Sequence, residues 1–178
     1  MNRVFAFIDG FNLYHSVDNL RQPHLKWLDL WALCEAFTRP KSETLLDVVY
    51  FSAYATWLPD PYRRPRQYVG AQVARGVTPV MGHFKEKDRR CNKCGTRWKA
   101  HEEKETDVNI AVSLLRHAYR DSFDRALIVS RDSDLAPALR LVRADCPDKE
   151  LTVVAPPSHS GHSGELISAS TSTTALTT

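Results

Sequence analysis

The sequence predicts a three-layer α/β/α domain built on a central, mainly parallel sheet. Three observations carry that expectation. Short apolar, β-branched runs alternate with segments whose apolar residues recur at helical spacing, as in repeated strand–helix–strand units. The strand-like runs are apolar almost throughout, as strands covered on both faces must be. The chain has 178 residues, 43% of them hydrophobic, which suits one domain with a substantial core.

Val4–Ile8 reads as the first strand, and Asn12–Asn19 and Leu28–Phe37 read as helices. "LLDVVYFSAY", Leu45–Tyr54, is the second strand. A helix is expected within Asp60–Arg75, with Gly76 placed to end it. Val77–Phe84 is the third strand, and Lys85–Lys104 is a polar insert that carries two cysteines. Asp107–Tyr119 has Ile110, Ala111, Leu114, Leu115 and Ala118 at helical spacing. "ALIVS", Ala126–Ser130, is the fourth strand. A helix follows over Asp134–Ala144, with Pro137 tolerated only in its first turn. Leu151–Ala155 is the fifth strand. Residues 1–156 are therefore expected to form the domain. Residues 157–178, rich in Ser and Thr, are expected to be a flexible tail with at most a short helix near Leu166.

No internal repeat is present. The net charge of +3 permits a nucleic-acid partner without demanding one. No run is long and apolar enough to span a bilayer, so no membrane partner is expected. The N-terminus has an acid at residue 9 and no small-residue cleavage pattern. The expected compartment is cytoplasmic, where the four cysteines would be reduced or metal-bound.

The acids are the informative residues. In open parallel sheets, ligands bind beyond the carboxyl ends of the strands. In "FAFIDGFNLYHS", Asp9 stands just past the first strand, followed by Gly10 and Asn12. In "IVSRDSDL", Asp132 and Asp134 follow the fourth strand. Asp107 opens a helix after "HEEKET". Each acid alone could simply cap a helix. As a set at one sheet edge they would repel one another, and a hard divalent ion such as Mg²⁺ or Mn²⁺ would relieve that repulsion. Such a site suits metal-dependent phosphodiester hydrolysis. Asn12 could orient water or phosphate, or cap the first helix.

Three blocks, "FIDGFNLYHS", "EEKETDVNIAVSLL" and "LIVSRDSDLAPALRLV", resemble the signatures of NYN domains, in the LabA-like branch of the PIN-like nuclease superfamily. The resemblance covers roughly residues 3–155. It implies a Rossmann-like α/β/α PIN-like fold, acidic residues that bind Mg²⁺ or Mn²⁺, and RNA as substrate. It places Asp9, Asn12, Asp107, Ser130, Asp132 and Asp134 in the catalytic centre, with the four aspartates as metal ligands. PIN-like relatives often form homodimers, although no patch in this sequence requires one. Arg131 stands where the family often has Gly, and the C-terminal segment lacks the amphipathic helix of relatives.

The insert, "GHFKEKDRRCNKCGTRWKAHEEK", holds Cys91-x-x-Cys94 followed by Gly95. Two thiolates in that spacing suit Zn²⁺, with His83 and His101 as candidates to complete a structural Cys₂His₂ site. Cys34 or Cys146 could substitute if the fold brings them near. A redox pair or two plain thiols are the alternatives. The insert is also basic, with Lys85, Lys87, Arg89, Arg90, Lys93, Arg97 and Lys99 around Trp98. "YRRPRQY" adds Arg63, Arg64 and Arg66 between tyrosines. Such runs are usually solvated surface. Interleaved with aromatic rings, they suit single-stranded or looped RNA.

The function expected is therefore a divalent-metal-dependent ribonuclease. The alternative is a regulatory module that binds RNA or protein and keeps the acidic pocket without cutting. A phosphatase that forms an aspartyl-phosphate is a weaker reading, since it needs a second Asp two residues after Asp9, where Phe11 stands.

Overall fold

The computed structural model describes residues 1–57, 63–157 and 163–176. Within them the chain forms β1 (Asn2–Asp9), α1 (Gly10–Asn19), α2 (Leu30–Glu35), β2 (Glu43–Ala53), α3 (Arg63–Ala74), β3 (Thr78–Arg90) and β4 (Arg97–Lys104). It continues through α4 (Thr106–Tyr119), β5 (Arg125–Val129), α5 (Ala136–Asp145), β6 (Glu150–Ala155), α6 (Gly164–Ala169) and β7 (Ser172–Ala175). One sheet has the order β4-β3-β2-β1-β5-β6-β7. All neighbours are parallel except β3 and β4.

The central strand explains the layering. Along β1, Val4, Ala6 and Ile8 point to one face, and Phe7 to the other; all four are fully buried. The first face packs against Leu13 of α1, Leu30 and Cys34 of α2, and Val69 of α3. The second packs against Ile110 and Leu114 of α4, Leu139 and Val142 of α5, and Leu166 of α6. Each large apolar side chain buried this way contributes about 1.5–3 kcal/mol. Helices α1–α3 and α4–α6 lie on opposite faces because the chain reverses its direction of winding at β1. It runs outward through β2 and β3, then returns to place β5 beside β1. The crevice between the carboxyl ends of β1 and β5 is thus the topological switch point, where such sheets bind ligands.

At the opposite end of the sheet, Arg125 is buried against Glu43. Its Nη1 donates to Glu43 Oε2 at 2.8 Å and its Nε to Thr152 Oγ1 at 3.0 Å.

Three expectations change. The helix expected over Leu28–Phe37 is the shorter α2, preceded by a 3₁₀ turn over Pro23–Trp27. Asp29 sets that start by accepting a hydrogen bond from the Ala32 N–H at 3.0 Å. Of the helix expected within Asp60–Arg75, residues 60–62 lie outside the described residues, and the rest forms α3 up to Ala74.

The polar insert is an ordered extension of the sheet. β3 continues six residues beyond Phe84 and pairs with β4 from His83↔Lys104 to Arg90↔Arg97, so residues 85–104 are a β-hairpin with the cysteines at its tip. Main-chain ladder bonds hold it where apolar side chains are scarce.

The tail expected to be flexible closes the sheet instead. Leu166 and Ala169 of α6 are fully buried, and β7 pairs in parallel with β6 from Thr152↔Ser172 to Ala155↔Ala175. An edge strand of Ser and Thr needs only main-chain bonds and β-branched fit, so its polarity hid it.

Candidate metal centre

Three carboxylates meet at the switch point. Asp9 ends β1, Asp107 lies in the first turn of α4, and Asp132 follows β5. One oxygen from each lies within 4.8 Å of the others. Local structure aims each one. Asp9 Oδ1 accepts the Asn12 N–H at 2.9 Å, so the residue caps α1 while its other oxygen faces β5. That oxygen, Oδ2, accepts from Ser130 Oγ at 2.9 Å. Ser130 Oγ in turn accepts the Asp132 N–H at 3.0 Å, so one buried hydroxyl ties two of the acids together. Asp132 Oδ1 accepts the Asp134 N–H at 2.9 Å.

Gly10 is required by close approach. A Cβ there would lie 2.5 Å from the Phe51 carbonyl oxygen and 2.7 Å from the Tyr50 ring. No side chain fits, so the chain turns past β2 directly after Asp9.

Among the described residues, no lysine or arginine pairs with Asp9, Asp107 or Asp132. Burial raises the Asp9 pKa, opposed by its bonds from Asn12 and Ser130. Asp107 is pushed up to about 6, first by desolvation and then by repulsion from Asp132, Asp9, Glu103 and Asp134. Charge held in this way without a counter-ion is what a divalent cation neutralises, and three oxygen donors suit a hard one. The donor set therefore fits Mg²⁺ or Mn²⁺.

The remaining expected residues sort as follows. Asn12 braces the site: its side-chain Oδ1 accepts the Arg131 N–H at 3.1 Å and fastens α1 to the loop after β5. Arg131 Nη1 donates to the Pro156 carbonyl at 3.0 Å. Asp134 is exposed and lies outside the three-carboxylate group, although its charge reaches Asp107.

The Cys₂His₂ set is not brought together. His83 pairs in register with Lys104 at the base of the hairpin, seven residues along the strand from Arg90, or ~23 Å at the usual rise. Its Nδ1 lies 3.3 Å from Glu105, and His101 stacks on Trp57. Cys34 is buried under α2 and Cys146 ends α5, so neither substitutes. Among the described residues no third ligand joins Cys91 and Cys94.

The hairpin's charges are half-neutralised across the strands. Lys87 and Arg89 pair with Glu102, and Lys99 with Glu86. Lys85, Arg90, Lys93 and Arg97 make no ion pair among the described residues. Trp98 faces Arg89 near the tip and is half exposed. Arg64 and Arg66 are exposed on α3, with Arg66 over the Tyr54 ring; the Arg63 side chain lies outside the described residues.

Sequence reasoning missed Glu103. Its Oε1 accepts the Thr106 N–H at 3.0 Å and also bonds the Thr106 hydroxyl, which anchors the start of α4 beside Asp107. Between them Glu105 sits at φ 79°, a left-handed conformation that costs a non-glycine residue ~1–3 kcal/mol. The acid run in "HEEKET" was the visible signal.

A Rossmann-like α/β/α domain with a carboxylate centre at its switch point defines the class of protein. The NYN domain model matches residues 3–177, and the chain belongs to that family, a branch of the PIN-like nuclease superfamily. The chain is 27% identical over 191 aligned positions to 6-hydroxy-3-succinoylpyridine 3-monooxygenase of Pseudomonas putida. That match covers 88% of this chain but 60% of the relative's length. The crystal structure of a protein of unknown function from Vibrio parahaemolyticus superposes with a TM-score of 0.61 at 18% identity, covering 99% of this chain and 93% of that one. No helix among the described residues is long and apolar enough to cross a membrane.

Proposed function

We propose that this chain is a divalent-cation-dependent nuclease that hydrolyses phosphodiester bonds of RNA. The observation that carries the reading is the convergence of Asp9, Asp107 and Asp132, from three distant parts of the chain, within 4.8 Å and without a lysine or arginine partner among the described residues. Mg²⁺ or Mn²⁺ bound there would supply charge neutralisation and activation of water.

The chain's own groups have separate tasks in this reading. Asp9, Asp107 and Asp132 hold the cation. Ser130 and Asn12 fix the acids and the loop that carries them. Asp134 adds negative charge at the rim. Lys85 and Arg90 on the hairpin, and Arg64 and Arg66 on α3, hold phosphates of the strand. Lys87 and Arg89 contribute less, because Glu102 already pairs with them. The proposed compartment is the cytoplasm, where free cysteines stay reduced.

The test is a labelled single-stranded RNA incubated with Mn²⁺, Mg²⁺ or EDTA, with Asp132→Asn alongside. Cleavage that needs metal and disappears in the variant supports the reading. RNA binding without cleavage in any metal would sink it in favour of a non-cutting regulatory module.

A further inference from the structure

Four rings run outward from the carboxylate centre. Phe11 follows the Asp9–Gly10 turn, and its main-chain N–H bonds the Asp9 carboxylate. The Phe11 ring meets Phe84 edge-on at 5.6 Å, and Phe84 meets Trp57 edge-on at 4.7 Å. Trp57 lies flat on His101, with centroids 3.7 Å apart and planes 8° from parallel. None of Phe11, Phe84 and Trp57 belongs to either core cluster. They are not filling the interior, and Trp57 remains 37% exposed. His101 lies flat on the indole and Phe84 stands perpendicular to it, and the exposed remainder of Trp57 is what a base would meet.

We propose that Phe11, Phe84 and Trp57 form a stacking subsite for one or two unpaired nucleobases beside the carboxylate centre. The proposal rests on the nuclease reading for its substrate class, and it adds a preference for single strands. A base inside a duplex has both faces covered by its neighbours, whereas an unpaired base can lie against an aromatic ring. His101 stiffens the platform, so little ring motion is lost when a base stacks. Trp98, the ring singled out by sequence, faces Arg89 near the hairpin tip and takes no part.

The subsite is tested by binding, separately from cutting. Two fluorescent single-stranded RNA 12-mers of equal charge are titrated in Ca²⁺, one normal and one with internal abasic positions, and anisotropy is read. Wild type is expected to prefer the normal strand by roughly 10- to 100-fold, the usual span for one stacked base. Trp57→Ala should lose that preference while it binds the abasic strand as wild type does. Trp57→Phe should keep most of it, which separates stacking from misfolding.

Equal affinity of wild type for both strands, or no binding to either, overturns the subsite. So does an equal loss for both strands in Trp57→Ala. Base preference without cleavage in Mn²⁺ would uphold the subsite and defeat the nuclease reading. Cleavage without base preference would do the reverse.

Discussion

Replacing Asp132 with Asn should stabilise the metal-free protein while abolishing its response to divalent cations. The carboxylate oxygens of Asp9, Asp107 and Asp132 lie within 4.8 Å of one another. At that spacing each like-charge pair costs ~0.9 kcal/mol in water and ~3.5 kcal/mol at an effective dielectric of about 20. Asp107 is exposed and Asp132 partly so, and solvent screening pulls the value toward the lower limit. Asn keeps the cap, since its carbonyl oxygen can still accept the Asp134 N–H. The net gain is therefore about 1–3 kcal/mol at pH 8, and each kcal/mol raises Tm by roughly 2–4 °C in a chain of this size.

The pH dependence follows from Asp107. Its folded pKa, about 6, lies above its unfolded value. Its contribution to stability is therefore complete below the unfolded pKa and is lost as pH rises through 6. At pH 4.5 the group is already protonated, so the gain from Asp132→Asn should shrink. Differential scanning fluorimetry with EDTA or Mn²⁺ at pH 4.5 and 8 measures all of this. A variant less stable than wild type at pH 8 in EDTA, or one that Mn²⁺ still stabilises fully, would refute the repulsion argument.

Two further expectations concern other parts of the molecule. Arg125→Ala leaves buried Glu43 with only the more exposed Arg39 as its cationic partner and should cost about 1.5–3 kcal/mol, read as a lowered urea midpoint; a loss under about 1 kcal/mol would mean that Arg39 suffices. Iodoacetamide at pH 7 should label Cys94 first and Cys34 last, by peptide mass mapping. Bonds from Thr96 and Cys91 lower the Cys94 thiol to about 7, whereas burial pushes Cys34 up to about 12. Equal labelling would contradict the exposed hairpin tip.

Much of the fold was legible because burial on both faces forces a strand to be apolar along its length. β1, β2, β5 and β6 announce themselves in this way, and α4 through its 3.6-residue spacing. Asp9, Asp107 and Asp132 were legible for a related reason. Each follows the end of a strand or opens a helix, and a parallel sheet collects those positions at one edge.

The hairpin, β7 and Glu103 were not legible. Their order comes from main-chain ladders and from neighbours far along the chain, and a single-segment pattern records neither. The expected Cys₂His₂ grouping does not form for the same reason. Spacing places Cys91 near Cys94, but strand register alone decides that His83 sits at the other end of the β-ladder and His101 in its middle, opposite Glu86.

By itself the sequence determined the layer order, the strand-end acids and the exposed basic segment, because hydrophobic period and residue chemistry are local properties. Only the tertiary structure decided that Asp134 stays outside the group of three acids and that Asn12 braces rather than protrudes. It alone put Phe11, Phe84, Trp57 and His101 in one row. These are distances between residues remote in sequence, set by where β1, β3 and β5 pair and by how the helices pack over them.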